Sequence, residues 1–244
     1  GCALPDTDTD AFLASAWYIP AFGAIMDAEG EVTVSKKGEE FHHGFVRGNT
    51  VLDINLSNVN PVIHVPGAVL GAAVMQNFDT VLGQEKKNYS LYGFALCPAI
   101  AEVQARFWEE EKELAKAMEV GLCTVNYDDF FSRTTMYGKE YMGPDFAVPF
   151  TERYENFYGD GPFDLENRYI TEDVPVGCYL MSQLGKKYGV ETPVIDAMIL
   201  LASTMLKRDL AAGSKYTLDY LDIGHMTHEQ LQKYLREGVF TPKN

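Results

Sequence analysis

The sequence predicts a mainly α-helical protein with a short β-containing segment at its N-terminal end. Period-two alternation is confined to the first part of the chain, and after Pro61 the apolar residues recur at helical spacing. With 244 residues, 46% of them hydrophobic, the chain is long enough to bury a sizeable core. We therefore expect a partial β-containing segment over residues 1–55 and an α-helical domain over residues 56–244.

The strand signals lie in the N-terminal segment. Polar and apolar residues alternate from Glu31 to Ser35. Phe45-Val46 and the run from Thr50 to Leu56 also carry β-branched and apolar residues. Glycine or asparagine follows these runs, as is typical of strands that are separated by turns. We expect short strands here.

The helical signals begin beyond Pro61. The small-residue segment from Gly67 to Phe78 predicts a buried helix, because its apolar positions leave little polar face. Just before it, a strand-like run gives way to the polar sequence Asn58-Val-Asn-Pro61. We expect a turn at this junction, with His64 at the edge of a cleft.

The strongest helical period runs from Pro98 to Val120. Proline suits a first helical turn and Gly121 suits the end of a helix. The charge run from Glu109 to Glu113 lies opposite the apolar stripe, so we interpret it as a solvated helix face. The stripe consists of Ile100, Val103, Phe107, Leu114 and Met118.

The remaining chain is predicted to hold a long irregular region and three helices. Residues 122–167 are rich in aromatic and turn-forming residues, and such long loops either line sites or pack against the core. Helices are predicted from Val174 to Tyr188 and from Pro193 to Leu210. A capping-box pattern at Thr227 to Gln230 starts a final helix that ends near Gly238.

Composition excludes several classes of function. The formal net charge of −15 disfavours binding to nucleic acid or to an anionic membrane. Four cysteines without a C-x-x-C pair indicate a reducing compartment, which we take to be the cytoplasm. The apolar stretches are too short to span a bilayer. A start at Gly1 rather than at methionine suggests a processed chain or a fragment.

Common catalytic and cofactor motifs are absent from the sequence. It contains no G-x-G-x-x-G, G-x-x-x-x-G-K-[ST], G-x-S-x-G or H-E-x-x-H pattern. The histidine pairs His42-His43 and His225/His228 lack a surrounding set of ligands, so we expect no metal site.

Two polar groups remain as candidates for chemistry. His64 is suited to proton transfer near neutral pH if a partner orients its second ring nitrogen. The polar cluster at residues 166–175 offers Asp173 and Glu172, although acids before a helix also complement its dipole. Arg168 in the same cluster has a planar guanidinium that is suited to two-point contact with a carboxylate.

Two motifs make the sequence resemble the octopine and opine dehydrogenase family. They are Asn-x-Asn-Pro-x-x-His at 58–64 and Arg-Tyr-Ile-Thr-Glu-Asp-Val-Pro at 168–175, and the resemblance extends over roughly residues 50–205. It implies the α-helical C-terminal domain of that family, a fold of the 6-phosphogluconate-dehydrogenase-like type. It also implies NAD(P)H-dependent reductive condensation of a 2-oxo acid with an amino acid.

The resemblance assigns roles residue by residue. His64 matches the catalytic histidine of the family, Asp173 its carboxylate partner, and Arg168 the arginine of the same constellation, which we expect to bind a substrate carboxylate. Asn58 is expected to position substrate. The family joins this domain to a dinucleotide-binding domain, of which residues 1–55 are interpreted as a remnant.

The missing glycine motif determines our expectations for cofactor and partners. We expect NADH or NADPH in the intact enzyme, no strong binding by this chain alone, and no cofactor-binding residue that can be named. The domain is expected to act as a homodimer or beside a separate cofactor-domain chain. Two alternatives stay open: a non-catalytic helical dimerisation or ligand-binding module, and a 2-oxo or 2-hydroxy acid dehydrogenase of the same superfamily.

Overall fold

A computed structural model describes residues 24–26, 32–34, 60–83, 85–122 and 161–243. Strands β1 (Ala24–Met26) and β2 (Val32–Val34) form an antiparallel ribbon with Ile25 opposite Thr33. The prediction of a strand around residues 31–35 is thereby confirmed. The expected strands at 45–46 and 50–56 lie outside the described residues, as does most of the predicted loop at 122–167.

The described residues from 60 onward are mainly helical, which confirms the predicted fold class. Two short π-helical segments, π1 (Leu91–Ala95) and π2 (Val174–Cys178), interrupt the α-helices. The α-helices are α1 (Asn60–Leu70), α2 (Ala72–Gln76), α3 (Phe78–Leu82), α4 (Pro98–Ala117), α5 (Arg168–Thr171), α6 (Tyr179–Tyr188), α7 (Pro193–Met205) and α8 (His228–Glu237).

Helix α1 corrects the expectation of a turn at His64. The helix starts at Asn60, so His64 lies in its second turn and not in a loop. Pro61 suits the first turn, because an N–H group at that position has no acceptor within the helix. The fixed φ of proline is also close to the helical value. Pro66 lies inside the helix, where proline is disfavoured. The sequence pattern therefore did not predict a helix across this proline.

Helix α1 is enclosed by its neighbours, which fixes the position of His64. Helices α4 and α5 and segment π2 all pack against it. Gln104 of α4 donates a buried hydrogen bond of 3.0 Å to the carbonyl of Ile63. At Gly177 of π2, an added Cβ would lie 2.5 Å from Cγ of Pro61. Only glycine permits this approach, which brings the chain around π2 directly against α1.

An aromatic cluster supports segment π1 on the other side. Phe78, Tyr89 and Phe94 are at most 1% exposed. The Phe78 ring packs edge-on against the other two, with centroids 5.4 Å and 4.7 Å away. Burial raises the pKa of the Tyr89 phenol above its usual value. The backbone of π1 is thus held by a rigid hydrophobic cluster.

Helix α4 confirms the predicted period but contradicts the interpretation of its charge run. Glu113 is exposed as expected, yet Glu110 and Glu111 are both 0% exposed. The Glu110 carboxylate accepts hydrogen bonds of 3.0 Å from the backbone N–H groups of Val194 and Ile195, in the first turn of α7. Part of the run therefore caps a neighbouring helix with a buried carboxyl group. Burial raises the pKa of Glu110, and the two backbone hydrogen bonds oppose that rise.

Glu111 is buried without compensation. Neither of its carboxyl oxygens has a hydrogen-bond partner. Burial raises the pKa of this carboxyl well above its usual value, because ionisation in an apolar surrounding is unfavourable. Glu111 is therefore protonated over a pH range in which an exposed glutamate is ionised.

Replacing Glu111 by Gln is expected to change how stability depends on pH. Above about pH 4.3 the unfolded carboxyl ionises while the folded one keeps its proton, so the wild-type protein loses stability as the pH rises towards the folded-state pKa. Each pH unit in that window costs about 1.4 kcal/mol. The variant lacks this loss, so its unfolding free energy relative to wild type should increase with pH.

Denaturant unfolding at a series of pH values measures this difference. Glu113→Gln, an exposed change on the same helix, is the matched control and should show no such trend. A difference between Glu111→Gln and wild type that stays constant from pH 4 to neutrality contradicts the buried, protonated carboxyl.

The C-terminal helices follow the predicted pattern with shorter bounds. The predicted helix from Val174 begins as π2 and continues as α6, and α7 ends at Met205 rather than at Leu210. The capping box is confirmed, because Thr227 accepts from the Gln230 N–H and the Gln230 side chain accepts from the Thr227 N–H. Within the described parts of the chain, no helix is long and apolar enough to cross a membrane.

Candidate functional site

His64 and Asp173 form the centre of the site. Nδ1 of His64 lies 2.8 Å from Oδ2 of Asp173, although 109 positions separate the two residues. Their side chains are 12% and 14% exposed. An ionised carboxylate only accepts hydrogen bonds, so Nδ1 carries the proton, and Nε2 of the neutral imidazole has a free lone pair as an acceptor. The expected contact between these residues is present.

Local structure around Asp173 explains this placement. Helix α5 is capped by Asn167, whose Oδ1 accepts a 3.0 Å hydrogen bond from the N–H of Tyr169. The Tyr169 ring then stacks on the imidazole of His64, with centroids 3.8 Å apart and an interplanar angle of 18°. Asp173 follows two residues after α5 and immediately precedes π2. The imidazole is therefore held both at one nitrogen and across one face.

Tyr92 is a site residue that the sequence did not reveal. Its hydroxyl lies 3.0 Å from Nε2 of His64, and the two rings meet edge-on with centroids 6.4 Å apart. No motif of the sequence analysis includes this tyrosine, and no local pattern assigns it a role. Asp173 and Tyr92 thus contact opposite nitrogens of one imidazole.

Arg168 lies on the surface of α5. Its side chain is 73% exposed, and its Nε lies 3.5 Å from a carboxylate oxygen of Glu172, which is 55% exposed. The two residues are one helical turn apart, which explains the contact. The predicted positioning residue Asn58 lies outside the described residues. Of the predicted site residues, the structure therefore brings together His64 and Asp173, whereas Arg168 is exposed and contacts Glu172.

Cys178 is buried next to the acidic centre. Burial raises the pKa of its thiol well above the usual value, and the negative charge of Asp173 adds to that rise. Such a thiol stays protonated and is a poor nucleophile.

Among the residues that the structure describes, no group of three or more histidine, cysteine, aspartate or glutamate side chains is placed to hold a metal ion.

The geometry of His64 is that of an oriented acid–base. Asp173 fixes the tautomer and stabilises the imidazolium that forms when Nε2 takes up a proton. Nε2 points away from the carboxylate, towards Tyr92. The described site can therefore give or take one proton at a defined position.

A family model decides the assignment of the chain. Residues 47–206 match the model described as NAD/NADP octopine/nopaline dehydrogenase, alpha-helical domain. The chain belongs to this family. The matched range includes His64, Tyr92, Tyr169 and Asp173, so the whole described site lies within the family's helical domain.

Two curated relatives agree with this assignment. The chain is 27% identical over 183 residues to an opine dehydrogenase of Arthrobacter sp. strain 1C, covering 75% of this chain and 47% of the relative. It is 27% identical over 174 residues to a vitopine synthase of Allorhizobium ampelinum, covering 70% of this chain and 44% of the relative. The chain spans about half the length of these relatives.

Solved structures of octopine dehydrogenase are also similar to this chain. A complex with NADH and L-arginine has a TM-score of 0.43 and 19% sequence identity, covering 79% of this chain and 50% of that one. A complex with NADH and agmatine has a TM-score of 0.44, with the same identity and coverage.

Proposed function

We propose that the protein is an opine-dehydrogenase-like oxidoreductase that condenses a 2-oxo acid with an amino acid and reduces the product to a secondary amine dicarboxylate. Membership of the family supports this reaction. The observation that carries the proposal is the 2.8 Å contact of His64 with Asp173 inside the matched domain. The substrates are small molecules, with no nucleic acid or membrane as partner.

His64 is proposed as the acid–base of the reaction. Forming an imine from an amine and an oxo group requires a proton for the departing oxygen. The imidazolium of His64 holds such a proton at Nε2, and Asp173 stabilises the charged ring through Nδ1. Asn58 stays a proposed positioning residue.

The cofactor is assigned to the whole protein, and no residue of this chain is proposed to bind it. No helix within residues 60–83, 85–122 or 161–243 follows a strand through a glycine-rich turn, which is the arrangement that holds a pyrophosphate. NADH or NADPH supplies the hydride in the proposed reaction of the whole protein. The residues of this chain are proposed to supply proton transfer and substrate positioning.

The cytoplasm is the proposed compartment. Cys97 and Cys178 are both free thiols in the structure, which agrees with a reducing environment. An association with a second copy or with a separate cofactor-domain chain also stays a proposal.

Arg168 is proposed to bind a substrate carboxylate, as the family resemblance implies, and its guanidinium is exposed and therefore accessible to a ligand. Replacing it by Ala is expected to raise KM for the 2-oxo acid about 10- to 100-fold. A hydrogen bond to a charged group contributes roughly 1.5–3 kcal/mol, and 1.4 kcal/mol corresponds to tenfold. Steady-state kinetics on the full-length protein measure the change.

Arg208 provides the matched control for this substitution. It is also exposed and pairs with Glu166 through two hydrogen bonds of 2.9 Å and 2.7 Å. Arg208→Ala should leave KM unchanged. An equal rise of KM in both variants would mean that a general loss of positive charge, and not a contact of Arg168, weakens binding.

An assay of cofactor oxidation tests the proposed function. The full-length protein is mixed with NADH or NADPH, pyruvate and each of a panel of amino acids, and each component is omitted in turn. Oxidation is expected only when both the oxo acid and an amino acid are present. Equal oxidation with the oxo acid alone would favour a 2-hydroxy acid dehydrogenase, and no oxidation under any condition would favour a binding module.

A further inference from the structure

The nitrogen of His64 that must serve the substrate is already occupied. Nδ1 is bonded to Asp173, so Nε2 is the ring nitrogen left for proton exchange. The hydroxyl of Tyr92 lies 3.0 Å from that nitrogen. The imidazole also stacks on the Tyr169 ring, with centroids 3.8 Å apart, and would lose this contact if it tilted away from Tyr92. Any proton that leaves Nε2 in this geometry meets the tyrosine oxygen first.

The position of Tyr92 is fixed by the fold. It is the second residue of π1, whose neighbouring side chains Leu91 and Phe94 are 0% exposed. The Leu91 N–H donates a 2.9 Å hydrogen bond to the carbonyl of Gly161, and the Gly161 N–H donates one of 2.9 Å to the carbonyl of Tyr89. Two segments of the chain thereby anchor the start of π1. The contact to His64 follows from this anchored backbone.

We propose that Tyr92 is a catalytic relay, through which His64 delivers its proton to the oxygen of the substrate. A phenolic hydroxyl has one proton to donate and two lone pairs to accept with. It can therefore take a proton from Nε2 while it gives its own to a second oxygen. The inference rests on the proposed function, because it names the group that contacts the substrate in that reaction.

The relay acts in the loss of water from the carbinolamine that the amine and the oxo acid form. The Nε2 proton of the imidazolium moves to Oη of Tyr92, and the hydroxyl proton of Tyr92 moves to the carbinolamine oxygen. The C–O bond breaks and water leaves with its electron pair. The nitrogen lone pair forms the C=N bond, so the positive charge passes from the imidazolium to the iminium and Tyr92 is neutral again.

The alternative role for Tyr92 is that of a placeholder. In that case its hydroxyl only fills the space in front of Nε2 and moves aside when substrate binds. The two roles predict opposite effects of removing the hydroxyl. Loss of a relay slows the proton transfer, whereas loss of a placeholder leaves turnover unchanged or accelerates it.

Tyr92→Phe in the full-length protein separates these roles. Single-turnover oxidation of NADH or NADPH with pyruvate and the preferred amino acid is expected to be slower by about 10²-fold or more, the range for a lost general acid. KM for the oxo acid should change less than about threefold. Tyr220→Phe removes a hydroxyl from a side chain that is 64% exposed and is the control, with unchanged turnover.

A solvent-isotope measurement on the wild-type protein keeps the test independent of whether the variant folds. The turnover rate is measured in mixtures of H₂O and D₂O and plotted against the deuterium fraction. Because two protons move in the relay, the plot should be curved for wild type. It should be a straight line for Tyr92→Phe, in which only one proton moves. A straight line in wild type, or a variant as fast as wild type, overturns the relay. Absence of any turnover by wild type instead overturns the proposed function, and the relay with it.

Discussion

Asp173→Asn is expected to lower kcat of the full-length protein by about 10³- to 10⁴-fold, the size of effect known for a histidine held in the wrong tautomer. The amide can donate to Nδ1 of His64, whereas the carboxylate can only accept. The neutral ring then carries its proton on Nε2, facing Tyr92. The imidazolium also loses the negative charge that stabilises it.

Asp173→Asn can be compared directly with wild type, because the two side chains have nearly the same size and shape. Asp173 is 14% exposed and no side-chain cap of π2 depends on it, so little change in fold is expected. Steady-state kinetics give kcat and KM separately, and KM should change little. Asp164→Asn, a change at an exposed position before α5, is the control. An Asp173→Asn protein that retains activity within about threefold of wild type contradicts the role of the pair.

Glu110→Ala is expected to destabilise the helical domain by about 2–6 kcal/mol, because each of two backbone N–H groups that lose their acceptor costs about 1–3 kcal/mol. The carboxylate accepts hydrogen bonds from two N–H groups in the first turn of α7 and lies 3.4 Å from Nε of Arg106. Alanine leaves those N–H groups buried without an acceptor and opens a cavity.

Denaturant unfolding followed by circular dichroism measures the loss, and hydrogen exchange locates it. Exchange of the Val194 and Ile195 amides should accelerate most. Glu110→Gln keeps one acceptor oxygen and should cost less than alanine. Glu113→Ala, at an exposed position of α4, should stay within about 0.5 kcal/mol of wild type. A loss at Glu110 no larger than at Glu113 would show that the carboxylate does not hold α7.

Local patterns in the sequence predicted much of the helical framework. Helix α4 was predictable because its apolar residues recur along one stripe and proline occupies its first turn. The start of α8 was predictable because the capping box needs only residues 227 and 230. The pairing of His64 with Asp173 came from the family resemblance, since no local pattern links residues 109 positions apart.

Features that depend on contacts between distant segments were not predictable. Glu110 has the sequence context of a solvated face, but the first turn of α7, 84 positions later, supplies the donors that bury it. Tyr92 contacts His64 because π1 is anchored to Gly161, which the chain around Tyr92 does not reveal. The helix that contains His64 was not predicted, because Pro66 lies inside it and proline is disfavoured in a helix interior. The proline is tolerated here because the helix is tightly packed.

The measurement that tests the central claim most directly is identification of the reaction product. The full-length protein is incubated with NADH or NADPH, pyruvate and an amino acid labelled with nitrogen-15, and the products are analysed by mass spectrometry. We predict a secondary amine dicarboxylate that contains the labelled nitrogen, formed by wild type and lost in Asp173→Asn. Formation of lactate with the labelled amino acid left unchanged would contradict the account.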